Sequence, residues 1–211
     1  MKLVNKMVAG LVVAGGLGLS SVAVAGVSGN IAASSDYLWR GVTQTNHTAA
    51  VSGGLDYAHD AGIYAGTWVS NVAADTEIDV YGGFSKEFGG VGVDLGYILY
   101  HYPVAAPDFA EVYIGLSYSM VSAMYSYDME NEDAYLSADA SYEVKKGLSL
   151  SVNFGAYMYS VSDNDYMTYG ATITKAVGDW EAAFAASATD LEAGPNAEPT
   201  AFVSISRGFD L

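Results

Sequence analysis

Val91-Gly92-Val93-Asp94-Leu95-Gly96-Tyr97-Ile98-Leu99-Tyr100 is the stretch that decides the fold of this chain. Val91, Val93, Leu95, Tyr97 and Leu99 fall on one face of an extended strand, and Gly92, Asp94 and Gly96 fall on the other. That is an alternation of period two, with one apolar face and one small or polar face. The rhythm recurs in Val112, Ile114, Leu116 and Tyr118 against Glu111, Tyr113, Gly115 and Ser117, and in Leu148, Leu150, Val152 and Phe154 against Ser149, Ser151, Asn153 and Gly155. A transmembrane β-barrel needs this pattern, because lipid solvates one face, the lumen the other, and closure satisfies every backbone donor and acceptor. A soluble β-sandwich also alternates, but its outward face normally carries Lys, Glu and Thr rather than Gly, Ser and Tyr.

Segments of this type between turn signals predict twelve strands, at 27–39, 48–58, 62–71, 76–86, 91–101, 110–119, 122–128, 133–143, 147–158, 167–175, 180–188 and 199–210. The number is even, as in single-chain bacterial barrels, which puts both termini on the periplasmic side. The turn around Met120 and Val121 has little Gly or Asn to mark it, and losing that hairpin would give ten strands. Connections at the periplasmic end are short, as at 59–62, 88–90, 145–147 and 177–179, whereas those at the outer end are longer and acidic. Lys86, Lys145, Lys146, Lys175 and Arg207 all fall near the periplasmic end, leaving Arg40 apart.

Ahead of the strands, Lys2 and Lys6 begin an apolar stretch from Val8 to Leu19, and Ala23-Val24-Ala25 forms a small-x-small cleavage pattern. Residues 1–25 therefore read as a secretory signal peptide and 26–211 as the barrel. About a dozen apolar residues are too few for a membrane-spanning helix, which needs roughly twenty. Removing the leader takes two lysines from a chain of 8 Lys and Arg and 24 Asp and Glu, moving the formal charge from −16 to −18. So acidic a chain, with no basic patch, is not a nucleic-acid binder; cations and small solutes are the expected partners. There is no cysteine, which excludes disulfides, thiolate metal sites and a lipoprotein anchor. With 24 Gly, 17 Tyr and four Pro, the composition is not that of a disordered acidic tail. No cofactor is implied.

Three quoted segments carry a family resemblance: Ser35-Asp36-Tyr37-Leu38-Trp39-Arg40-Gly41-Val42-Thr43-Gln44-Thr45, Gly53-Gly54-Leu55-Asp56-Tyr57, and Gly62-Ile63-Tyr64-Ala65-Gly66-Thr67-Trp68-Val69-Ser70-Asn71-Val72. Together with Glu77-Ile78-Asp79-Val80-Tyr81-Gly82-Gly83 and Glu111-Val112-Tyr113-Ile114-Gly115, the sequence resembles the proteobacterial TorF-like putative porin family. Beyond the N-terminal half only the strand rhythm is shared. The resemblance implies an outer-membrane β-barrel of porin type, and it carries no substrate with it.

Strand parity then assigns candidate residues. In a first strand running to Trp39, the outward set is Ile31, Ala33, Tyr37 and Trp39 and the inward set is Asn30, Ser34, Asp36 and Arg40. Arg40 is expected in the lumen near the outer mouth, against Asp36, Asp79, Asp94 or Glu111. It is either a charge constriction that sets which ions pass or a structural ion pair that pins strands together. Tyr64, Trp68, Tyr81, Tyr113 and Tyr135 share the inward parity and either fill the lumen or offer ring faces to a solute. Tyr37, Trp39 and Trp180, on the outward parity, are expected in the interfacial girdles, facing outer-membrane lipid. Phe209 and Leu211 alternate at the C-terminus as the signal to the barrel assembly machinery, although Leu stands where an aromatic is usual.

In the outer loops, Asp128, Glu130, Glu132 and Asp133 either bind divalent cations bridging to lipopolysaccharide, concentrate cations at the mouth, or form a solvated rim. Their spacing is not that of a calcium loop, and no metal site is assigned. His47, His59 and His101 are the only histidines, and neither a Gly-x-Ser-x-Gly elbow nor a His-Glu-x-x-His helix occurs, so no catalytic residues are assigned and a lipid hydrolase is the least favoured reading. The expected function is a narrow, weakly cation-preferring diffusion channel, the alternative being a closed barrel whose acidic loops bind a partner.

Overall fold

The structure, a computed structural model, describes residues 25–161, 163–192, 194, 196 and 198–211. The leader expected at 1–25 lies outside these residues apart from Ala25. In chain order the strands are β1 Gly26–Ser34, β2 Leu38–Trp39, β3 Val42–Thr43, β4 Ala50–Ala58, β5 Ile63–Asn71, β6 Thr76–Phe88, β7 Val91–His101, β8 Phe109–Tyr118, β9 Val121–Asp128, β10 Ala134–Lys145, β11 Leu148–Met158, β12 Tyr166–Val177, β13 Trp180–Thr189 and β14 Thr200–Asp210. Twelve of them close into one antiparallel barrel, in which β1 pairs with both β4 and β14, while β2 and β3 form a separate two-stranded sheet. No helix occurs among the described residues.

The alternation turns the apolar set outward. Val51 is 67% exposed, and Leu55, Leu95, Ile114 and Leu150 are also exposed, a surface that water would not tolerate as a continuous belt but lipid does. With the sheet closed there is no edge strand to leave backbone groups unpaired in hydrocarbon.

Short turns lie at the rim that holds the ends of β1 and β14, the terminal rim, and longer connections at the opposite, loop rim. The unmarked turn between β8 and β9 is closed by Ser119-Met120, with Ser119 at φ 56° and Tyr118 paired to Val121. A left-handed Ser does here what Gly does at the first position of a type II′ hairpin, so the strand number is twelve and not ten.

The clearest departure from the sequence reading is in the first strand, which ends at Ser34 instead of running to Trp39. Ser35 donates its N–H to Val203 O at 2.9 Å, and the chain then leaves the wall and folds into the lumen. There Leu38 pairs with Thr43 and Trp39 with Val42 across the two-residue turn Arg40-Gly41. Both turn residues have positive φ, 50° and 81°, the type I′ geometry that matches the twist of a hairpin. Gly41 suits that geometry; Arg40 adopts it against its intrinsic preference, held by the contacts its side chain makes.

Candidate functional site: an inward-folded constriction

The β2–β3 hairpin spans the loop-rim half of the lumen, as its contacts with opposite walls demonstrate. On one side Leu38 packs with Ala185 of β13 and Phe202 of β14. Across the barrel, Tyr37 Oη donates to Glu77 Oε1 of β6 at 2.8 Å, and its ring meets the edge of Trp68 of β5 at a centroid distance of 5.4 Å. The Trp39 ring lies about equally far from Tyr100 of β7, Phe109 of β8 and Tyr157 of β11, at 6.1, 6.2 and 6.0 Å. Strands β7 and β11 are four apart in the wall, so only a ring inside the barrel can touch both.

Tyr37 and Trp39 therefore belong to the lumen and not to the membrane girdle. The parity argument assumed an extended strand through residue 39, and the hairpin breaks that premise. Trp180 keeps the outward parity at the start of β13 on the terminal rim, with the Arg207 guanidinium 5.9 Å from its ring. Phe209 stays on β14, its ring over Gly29, and Leu211 donates its N–H to Val27 O.

Arg40 pairs with Glu111 of β8, Nη2 to Oε2 at 2.7 Å, with side-chain exposures of 4% and 2%. Its guanidinium also lies 4.2 Å from the Trp39 ring, 4.5 Å from Tyr135 and 5.4 Å from Tyr157, so an aromatic cage holds the charge where water does not reach. Tyr166 Oη donates to the Arg40 carbonyl at 3.2 Å. Asp36, the nearest acidic residue in sequence, does not pair with Arg40. It accepts from the hydroxyls of Thr43 at 2.7 Å and Thr45 at 2.9 Å, and its other oxygen meets His47 Nδ1 at 2.9 Å. Asp36 is thus the knot that ties residues 36–47 into a compact lobe.

Around this pair sit further buried acidic side chains. Glu77 is buried and accepts from Tyr37 and, at 3.0 Å, from Tyr102. Asp79 is 6% exposed and its Oδ1 has no hydrogen-bond partner, as is also true of Arg40 Nε. Three carboxylates, Glu77, Asp79 and Glu111, therefore accompany one guanidinium. Asp94 lies deeper, accepting from Tyr64 Oη at 2.7 Å, and Tyr64 is also bonded to Tyr113. Tyr81 donates to Asp56.

Parity reasoning passed over Glu77, Tyr100, Tyr157 and Tyr166. Glu77 shares the inward face of Asp79, and Tyr157 and Tyr166 lie on the inward parity at the loop-rim ends of β11 and β12, so the alternation already carried the signal. What it lacked was the hairpin that brings them together.

The lumenal tyrosines rest on inward glycines of neighbouring strands. A Cβ at Gly96 would collide with the Tyr113 ring, one at Gly83 with Tyr64, and one at Gly155 with Tyr135. Glycine is required there because each ring lies flat against the backbone beside it. Tyr135 Oη also meets Thr168 Oγ1 at 2.8 Å.

The outer acidic residues are tied into their loops. Asp128 accepts from the N–H groups of Glu130 and Asn131, and Asp133 accepts from Ser160 N and Tyr157 Oη. Among the described residues no group of three or more His, Asp or Glu is arranged to hold a metal ion.

Similar solved structures include porins. The barrel superposes on the KdgM porin with a TM-score of 0.66 at 9% identity, over 86% of this chain and 99% of that one. Against the NanC porin the TM-score is 0.58 at 11% identity, over 88% of this chain and 100% of that one. Against outer membrane protein Omp33 of Acinetobacter baumannii it is 0.56 at 6% identity, over 89% and 98%. KdgM has also been solved in complex with disordered oligogalacturonate. Such identities establish a common fold. No curated protein matches the sequence. A family described as "Bacterial protein of unknown function (Gcw_chp)" matches residues 20–210, nearly the whole barrel with its inward hairpin, and this chain belongs to it.

Proposed function

We propose that the protein is a non-enzymatic outer-membrane channel of porin type, through which small solutes diffuse past the hairpin, with a weak preference for cations. The observation that carries this reading is the contrast within the lumen. Toward the terminal rim the inward face is mostly small and polar, Tyr64 apart, and inward-pointing Asp139 and Ser141 are exposed, as they are when water fills the space they face. The lumen narrows at the hairpin, where Glu77, Asp79 and Glu111 outnumber Arg40. A constriction with more acidic than basic side chains favours cations over anions. In this it differs from what a polyanion such as the oligogalacturonate bound to KdgM would need.

The family resemblance to TorF-like putative porins supports the same assignment, and the first of its segments, Ser35 to Thr45, contains the hairpin. Phe209 and Leu211 serve assembly, and the acidic loops face the lipopolysaccharide leaflet. A closed barrel is the second reading, favoured by one observation: the hairpin packs against opposite walls at once. Planar-bilayer recording of the refolded protein under a salt gradient separates the two. Reproducible conductance with a reversal potential of cation sign supports the channel; a folded but silent barrel supports the closed form.

A further inference from the structure

Above the hairpin, the loop rim encloses a bowl of about 700 Å³, within the size range of small-molecule sites. Five aromatic rings line it: Trp39 from the hairpin, and Tyr102, Phe109, Tyr159 and Tyr166 from the wall and its loops. Phe109 and Tyr102 lie nearly parallel, 15° apart, while Tyr159 and Tyr166 stand across from them with centroids 6.3 Å apart. An aromatic ring is negative over its faces and positive at its edge.

The bowl also has three carboxylates, Asp75, Asp108 and Glu130, and no Lys or Arg among its described lining residues. The hydrogen-bonding capacity of Asp75 and Asp108 is largely committed, that of Glu130 only in part. Asp75 accepts from the N–H groups of Thr76, Val104 and Ala105, Asp108 from His101 and Tyr102 N–H, and Glu130 from Ala110 N–H. The His101 and Tyr102 bonds hold the Asp108 carboxyl below its ordinary range, so its charge persists. The site therefore offers negative charge and aromatic rings, with the acceptors of two of its three carboxylates taken.

That combination discriminates between ligand classes. A sugar needs many directed hydrogen bonds, and the carboxylates of Asp75 and Asp108 have theirs committed, leaving Glu130, Gln44 and Asn131 to supply them. An anion meets repulsion. A cation whose charge is spread over apolar substituents needs little hydrogen bonding and gains from both the rings and the carboxylates. Arg40, caged by Trp39, Tyr135 and Tyr157 just beneath, is the chain's own example of the same recognition.

We infer that the bowl is a binding site for small, ring-bearing or alkylated organic cations, which it captures at the mouth of the barrel. Capture does not require conduction, so this inference and the channel reading fail separately.

Calorimetric titration of the refolded barrel at pH 8 with benzyltrimethylammonium, benzyl alcohol and benzoate tests it. Saturable one-to-one binding of the cation is expected, about tenfold tighter than that of the alcohol, with benzoate weakest. Tyr159→Ala, at a ring that is 38% exposed, and Asp108→Asn should each weaken the cation about threefold in a barrel that still folds. Equal affinity for cation and alcohol, preference for benzoate, no saturable binding, or variants that bind as tightly as the parent would each overturn the assignment.

Discussion

The two halves of the lumen are built from the same alternating strands yet differ in kind. Toward the loop rim the interior is filled: Leu38, Arg40, Glu77, Tyr100, Glu111 and Tyr166 are all buried around the hairpin. Toward the terminal rim, inward-facing Asp139 and Ser141 remain exposed and the serines of β10 and β11 bond across strands, Ser151 Oγ to Ser141 Oγ at 3.0 Å. The wall alone therefore does not determine the bore. Fifteen residues between β1 and β4, which leave the wall pattern, determine it. The barrel supplies the frame, and the constriction is made by the part of the chain that breaks the alternation.

If the filled half depends on one caged cation, removing that cation should cost most. Arg40→Met leaves Glu111 buried without its partner, and a loss of about 3–5 kcal/mol is expected in denaturant unfolding of the barrel in lipid. The double variant Arg40→Met, Glu111→Leu should recover most of it, since no charge is then left uncompensated. Full cost in the double variant would mean that ring packing, and not the ion pair, holds the hairpin.

Overpacking a glycine floor comes next. Gly155→Val drives side-chain atoms into Tyr135, which cages Arg40, and should cost about 1–3 kcal/mol by the same unfolding measurement. Asp36→Ala removes the acceptor shared by Thr43, Thr45 and His47; a similar or slightly smaller loss, about 1–2 kcal/mol, is expected together with increased open-channel noise. At the exposed positions of the terminal-rim half the same chemistry should matter little. Asp139→Asn is expected to change stability by less than about 0.5 kcal/mol while shifting the reversal potential slightly toward anions. A large destabilisation there would erase the contrast between the halves.

Much of the fold was legible because lipid imposes a stringent pattern. All twelve barrel strands occur where period-two alternation predicts a strand, the first ending five residues early, and the Ser119-Met120 turn was in doubt only because a left-handed Ser replaces the usual glycine. The lumenal positions of Asp79, Asp94, Glu111 and the tyrosines follow from the same parity. What parity does not report is a segment that leaves the wall. Residues 35–39 alternate as a strand does, so Tyr37 and Trp39 read as lipid-facing. The contrary signals were local: Arg40-Gly41 as a two-residue turn, and the polar run Thr43, Gln44, Thr45, Asn46, His47, Thr48 that cannot face lipid. Arg40's choice of Glu111 over Asp36 depends on packing across the lumen, 71 positions away in sequence, which no local pattern encodes.

The central claim is that the hairpin sets the bore. It is tested most directly by replacing residues 36–48 with a short Gly-Ser turn and recording single channels beside the unaltered protein. Ser34 and Ala50 are already paired in the wall, so the barrel can close without the hairpin. A folded variant whose conductance rises severalfold over a small, cation-selective parent current is the predicted result. Equal conductance in the two, or a folded variant that stays silent, would contradict the account.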